Sequence, residues 1–293
     1  MNFPDKFYKY TSADATIAIL TNNSFKWSSP LTFNDPFDVP RELLHNISTI
    51  GVAKAITEIL YPLHIDEKVD LKNIQPKIKE EIIRFRDLFK TRNIREEKAK
   101  HLFQHVIQRE EDPNLSWIKT YWGQMLRYLR ILCLTESPRH VAMWYHYAEK
   151  YTGAVIEITP RKENKGAWSK AKPIIYSDSP SEIDTDTGWA MLALAPLDKS
   201  LSRVNELCLY RKSTDWAYEK EWRIHTFVQE ETNALESYYN FDKLEVSSIF
   251  LGPNMHPEKA DKIKEIAKSQ YENCKIKKTT IGKGALEFSQ ASI

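Results

Sequence analysis

From about residue 41 to residue 130, apolar side chains return every three to four positions among Lys, Arg and Glu, as at Ile78, Ile82, Phe85 and Phe89. That is the period of helices with one buried stripe and one solvated, charged face. Elsewhere the runs are shorter and strand-like. FYKY is read as a strand, and a short helix follows over Ala15 to Leu20, with Ser12 and Asp14 placed to cap its free amides. A second strand covers Phe25 to Ser28. In LTFNDPFDVP the residues before Pro36 and Pro40 are pushed out of helical geometry, and Asn and Asp bond their own backbone, so this is an ordered loop.

Beyond the helical stretch, Arg130 to Thr135 reads as a strand, VAMWYHYAEKY as helical, and GAVIEI as a strand, with Gly153 supplying the left-handed turn between them. PIIYS gives a further short strand. Gly188 to Leu209 is helical with Pro196 splitting it in two. The last third predicts a strand through EKEWRIHTFV, a strand at SSIFLGP, a helix opened by Pro257 and a final strand near CKIKKTTI. The expectation is an α+β domain spanning 1–293, a mixed or antiparallel β core with a helical insertion at about 45–128. No repeat or flexible linker forces a cut.

Composition narrows the chemistry. With 42 basic and 40 acidic side chains the formal charge is +2, too near neutrality for the whole molecule to attract nucleic acid, so any anion site is local. Three dispersed cysteines, Cys133, Cys208 and Cys274, without CxxC spacing, fit a reducing cytoplasm. No apolar run is long enough to span a bilayer, and MNFPDKFYKY lacks the layout of a signal peptide. Only eight glycines are present, with no phosphate loop and no GxSxG elbow. His101 and His105 stand one helical turn apart but lack the carboxylate of an HExxH site, and no metal is expected.

Two segments carry candidate chemistry. In a strand, Glu219 and Glu221 share a face at roughly 6 to 7 Å between their backbones. Two carboxylates that close split their pKa values and can flank a glycosidic bond, while the commoner use of such a pattern is a surface strand salt-bridged to Lys220 or Arg223. In MWYHYAEKYTG a helix puts Trp144, Tyr147 and Tyr151 on one side, as a stacking wall for a planar ring or as core packing. WIKTYWGQMLRYLR interleaves aromatics with Arg127 and Arg130, which suits an unpaired nucleic-acid strand or a buried amphipathic helix.

Four segments in order, YKYTSADATIAIL, FKWSSPLTFNDPFD, MWYHYAEKYTGAVIEI and WAYEKEWRI, together resemble a prokaryotic family described only as a domain of unknown function, number 2971. The order of elements also resembles, more loosely, an ADP-ribosyltransferase. In that resemblance Lys9 and Tyr10 stand on the first strand, the aromatic cluster ending in Tyr147 in the middle, and Glu219-Lys220-Glu221 on the late strand. Lys9 replaces the usual Arg or His, and a Ser-Thr-Ser motif is absent.

The resemblance implies NAD as substrate. Glu221 would stabilise the oxocarbenium-like ribose through its 2′-hydroxyl, and Glu219 would orient or deprotonate the acceptor. Tyr147 or Trp144 would stack on nicotinamide, Lys9 or Arg41 would neutralise the pyrophosphate, and Tyr10 and Asn34 would complete the cofactor site. The implied protein is a toxin or phage-defence effector that modifies a macromolecule, RNA favoured, and is restrained by an antitoxin with or without a chaperone. Two alternatives stand beside it. One is an NAD glycohydrolase, and the other a non-catalytic binding or sensor module in which the glutamates serve salt bridges.

Overall fold

The computed structural model describes residues 3–45, 47–66, 68–92, 116–161, 166–230 and 232–291. His101 and His105 lie outside them. The described residues form two compact units, one built from Met1–Asp35, Leu126–Ser177 and Lys212–Ile293, the other from Pro36–Met125 and Asp178–Arg211.

The first unit is a ten-stranded mixed sheet with helices against it, so the chain is α+β. Its strands are β1 Phe7–Thr11, β2 Ser24–Ser28, β3 Leu129–Thr135, β4 Ala154–Ile158, β5 Lys172–Pro173, β6 Glu221–Phe227, β7 Glu236–Asn240, β8 Val246–Leu251, β9 Lys275–Ile281 and β10 Leu286–Gln290. They run in the order β10-β9-β8-β4-β1-β3-β2-β7, with β6 added on β3 and β5 on β6. Among the described strands of this sheet only β8 and β9 pair in parallel, joined by the helix Pro257–Gln270, and its other ladders are antiparallel.

The sheet divides at β3. β6 pairs along its whole length, from Leu129↔Phe227 to Thr135↔Glu221. Its remaining pairs are one with β1, at Tyr8↔Thr135, and one with β2, at Ser28↔Ile131. Lys9 of β1 and Cys133 of β3 lie inside this fork, where the Lys9 Nζ donates to the Cys133 carbonyl at 2.9 Å.

One face of the sheet buries the main core, in which Phe7, Leu132, Ile156, Trp222, Ile249 and Ile276 meet Ile263 and Ile266 of the C-terminal helix. A smaller cluster on the opposite face gathers Tyr10, Met143, Trp144, Val155 and Phe250. The helix Ala13–Asn22 is capped by Ser12, whose Oγ accepts from the Ala15 amide at 3.1 Å. Asp14 lies in its first turn and takes an ion pair from Lys259.

The second unit is helical: Thr49–Ile65, Pro76–Arg92, Asp186–Leu194 and Leu197–Leu209. Pro196 ends one helix and caps the next, as its missing amide and fixed φ require. The expected insertion at 45–128 does not close on itself. It is tied to the 178–211 segment, where the Ser48 amide donates to Asp186 Oδ1 at 2.9 Å and the Gln75 amide to the Leu194 carbonyl at 2.8 Å.

Three local expectations need correcting. The strand foreseen through EKEWRI starts only at Glu221, because Thr214–Glu219 is a 3-10 turn and Lys220 takes the left-handed conformation, φ 45°. The left-handed turn after the aromatic helix is made by Glu149, Lys150 and Tyr151, not by Gly153. Gly153 is needed for close approach, since a Cβ there would fall 2.1 Å from the Thr11 carbonyl oxygen. The strands β7 and β10 were not foreseen, and PIIYS is broken into two two-residue strands at Lys172–Pro173 and Ile175–Tyr176.

Candidate active site

Glu219 and Glu221 are brought together by a route other than the one their spacing suggested. The 3-10 turn ends at Glu219, the left-handed Lys220 reverses the chain direction, and β6 begins at Glu221. Thr135 pins the reversal by donating its hydroxyl to the Glu219 carbonyl at 2.5 Å. From opposite sides of the reversal both carboxylates reach one ammonium: Lys212 Nζ is 2.7 Å from Glu219 Oε2 and 3.5 Å from Glu221 Oε2.

The two acids are held differently. Arg223, on the same face of β6 as Glu221, grips it with a planar fork, Nε to Oε1 at 2.7 Å and Nη2 to Oε2 at 3.0 Å. Burial alone would raise the pKa of Glu221, but Arg223 and then Lys212 overcome it and take it down to about 2. Glu219 accepts from Tyr147 Oη at 2.5 Å through its other oxygen. There burial and the neighbouring Glu221 charge outweigh Lys212 and Tyr147, and the pKa rises above the ordinary glutamate value. Two carboxylates and two cations thus balance in charge while the two acids are driven apart in acidity.

Aromatic rings surround the pair. Tyr147 is half-buried, and burial followed by the Glu219 charge pushes its phenol well above the usual range. Tyr176 accepts from the Glu221 amide at 2.8 Å. Lys212 Nζ sits 4.5 Å over the Trp216 ring, Trp216 meets Tyr218, and Tyr218 stacks on His140 at 5.0 Å. Cys133 is adjacent, its thiol raised by burial and by the Glu221 charge, which keeps it protonated.

Of the other candidates, Trp144, Tyr10 and Lys9 are held in other contacts. Trp144 is fully buried in the smaller core cluster, its Nε1 donating to the Pro138 carbonyl at 2.7 Å, so its ring is a packing element and not a wall for nicotinamide. Tyr10 is buried edge-on against Trp144, with its hydroxyl on the Ser137 carbonyl. Lys9 is committed to the Cys133 carbonyl, and burial lowers its pKa. Asn34 is an exposed loop residue of the first unit, and Arg41 is an exposed residue of the second.

In the segment that suggested an RNA acceptor, Tyr121 and Arg127 are exposed and two residues are committed to the fold. Trp122 is buried and donates to the Pro40 carbonyl at 2.7 Å, while Arg130 is fully buried against Ser237 and the carbonyls of Arg127, Leu129 and Ala234. Lys212, Tyr176, Trp216 and Tyr218 went unnoticed in the sequence because they lie in three short irregular segments without periodicity. Arg223 was visible, being two residues from Glu221 in a strand.

Among the described residues no group of His, Cys, Asp and Glu is arranged to hold a metal, and no helix is long and apolar enough to cross a membrane. No curated protein and no solved structure matches the chain. Residues 143–224, which carry Tyr147, Tyr176, Lys212, Glu219 and Glu221, match the model of a protein family of unknown function, DUF2971, and it is this family that the chain resembles.

Proposed function

We propose that the chain is a glycosyl-transfer enzyme that takes ADP-ribose from NAD to a macromolecular acceptor, with Glu219 as its working carboxylate. The observation that carries this reading is the meeting of Glu219 and Glu221 on one buried ammonium, Lys212, within an aromatic-ringed cluster in which Tyr147 donates to Glu219. The NAD and ribosyl part rests on the order of elements and the ExE motif. The resemblance implies the sugar-stabilising role for Glu221 and the acceptor-side role for Glu219, and the geometry favours Glu219 as the acting carboxylate. Glu221 is locked in a bidentate pair with Arg223, whereas Glu219 has the raised pKa and the half-buried Tyr147 beside it.

In the reaction the bond between nicotinamide nitrogen and ribose C1′ breaks, and nicotinamide leaves with the electron pair. The acceptor's nucleophile forms the new bond to C1′ and its proton passes to the Glu219 carboxylate. A carboxylate more basic than usual suits that transfer. Lys212 holds Glu219 in place, and the fixed negative charge of Glu221 makes Glu219 the more basic of the two. Tyr147 or Tyr218 would lie against the nicotinamide ring.

A specific observation favours a second reading. Glu219 and Glu221 are only 3% and 5% exposed and both are paired with cations, which is also the pattern of a buried structural ion cluster in a non-catalytic binding module. Incubating the protein and Glu219→Gln with labelled NAD and total bacterial RNA, DNA and protein separates the readings. Label on one fraction, lost in the variant, supports transfer and names the acceptor class. Nicotinamide release without label marks a glycohydrolase, and neither event in folded protein supports the binding module.

A further inference from the structure

A second site lies on another part of the sheet, away from the two glutamates. Strands β1, β4, β8 and β9 are in register as Tyr8↔Glu157, Glu157↔Ser248 and Ser248↔Lys275, and because strand side chains alternate, this row faces one side. The neighbouring row, Phe250↔Lys277↔Gln290, extends it on to β10. The opposite side carries Ile156, Ile249 and Ile276 into the main core.

These rows floor a cavity of about 720 Å³, within the usual size of small-ligand sites. At its base Glu157 is 3% exposed and saturated. It accepts from Lys6 Nζ at 2.9 Å, Tyr8 Oη at 3.1 Å, Ser247 Oγ at 2.8 Å and Ser248 Oγ at 3.0 Å. The walls add Arg139, Lys275 and Lys277, so four cations face one carboxylate. Lys277 is 3.8 Å from Glu157, which is already neutralised by Lys6, and no acid among the described residues pairs with Arg139 or Lys275. Arg139 and Lys275 are exposed, and the like charges gathered around one neutralised carboxylate repel one another, so an anion among them is favoured.

Aromatic rings line the same space. Phe288 and Tyr8 are half-buried, Arg139 lies 4.6 Å over the Phe288 ring, and Lys277 Nζ lies 4.4 Å over Phe250. Cations beside ring faces, around a concavity lined by Ser248, Asn273 and Gln290, match a ligand that joins a phosphate to a planar base.

We propose that this cavity binds a nucleoside phosphate, its phosphate held by Arg139, Lys275 and Lys277 and its base against Phe288 and Tyr8. The ligand is either a free mononucleotide or one nucleotide unit of a single strand.

Calorimetric titration of the full chain with AMP, adenosine, inorganic phosphate and a six-nucleotide single-stranded RNA tests the proposal, beside the variant Lys275→Glu/Lys277→Glu. AMP is expected to bind at least tenfold more tightly than adenosine or phosphate, and at least tenfold more weakly to the variant. An oligonucleotide that binds at least tenfold more tightly than AMP, with the same loss in the variant, assigns the site to a strand. Failure of both AMP and the oligonucleotide to bind folded wild-type protein overturns the proposal. So does binding unchanged in a variant whose circular dichroism and unfolding midpoint match wild type. Phe288→Ala must weaken AMP more than phosphate; equal effects would also overturn it.

Discussion

Replacing Glu221 by Gln removes the charge that Arg223 and Lys212 were assembled to hold, and the size of the loss follows from its acidity. The pKa falls from 4.5 in an ordinary glutamate to about 2 in the folded protein. At about 1.4 kcal/mol per pKa unit this is roughly 3 kcal/mol of stability at neutral pH. It falls at the lower end of the roughly 3–5 kcal/mol expected when one partner of a buried pair is deleted. At roughly 2–4 °C per kcal/mol for a chain of this size class, the unfolding midpoint at pH 7 should drop by about 6–12 °C.

The pH dependence has a definite sign. Because the folded-state pKa is depressed, the stabilisation is fully present above the ordinary pKa of 4.5 and drains away as pH falls towards 2. The wild type should therefore lose stability across that window more steeply than Glu221→Gln. Differential scanning calorimetry of both proteins between pH 7 and pH 3 reads this directly. A variant with an unchanged midpoint at pH 7 and an unchanged acid slope would refute the account of Glu221 as the clamped acid of the pair.

Glu219→Gln should behave in the opposite way. Its raised pKa means that folding opposes the charge, a contribution that favours the fold at low pH and is lost as pH rises through the folded-state value. The variant should keep a midpoint much nearer to wild type than Glu221→Gln while losing NAD turnover; a larger drop in midpoint than that of Glu221→Gln would contradict this. Tyr147→Phe deletes a hydrogen bond that favours the Glu219 carboxylate, so turnover should fall roughly tenfold and the acid limb of its pH profile should move to higher pH. An unmoved limb would show that Tyr147 does not act through Glu219. Gly153→Ala would set a Cβ 2.1 Å from the Thr11 carbonyl oxygen and should cost about 3 kcal/mol or more in urea unfolding, a value near zero being the contrary result.

How much of this was legible depended on periodicity. The described parts of the long helical stretch (Thr49–Ile65, Pro76–Arg92 and Ser116–Tyr128, with 93–115 outside the described residues), the split at Pro196, the capped helix after Ser12 and the apolar strands β4 and β8 all carry a local signal that packing did not override. β7, ESYYN, was missed because its pairing with β2 leaves most of it exposed, so it has no apolar alternation to read. The pairing of the two glutamates was foreseen, but for a reason the structure replaces. Their meeting depends on the left-handed Lys220 and on Lys212, neither of which announces itself in sequence.

The aromatic cluster was read as one face, a stacking wall or core packing, and the structure divides it between two surroundings. Helical phase puts Trp144 and Tyr147 on one side, yet Trp144 fills the core while Tyr147 reaches Glu219, because Val141–Tyr147 is too short to present a continuous face. The cationic cavity was overlooked although one signal was present. Glu157 is the single acid in the otherwise apolar GAVIEI, and a buried acid requires partners.

The most direct test of the central claim is nicotinamide release from NAD as a function of pH, in wild type and in Glu219→Gln shown to be folded. The account predicts release that rises with pH through an apparent pKa above that of an ordinary glutamate and is lost in the variant. Release retained by the variant, or none from folded wild-type protein at any pH with the acceptor fractions present, would contradict it.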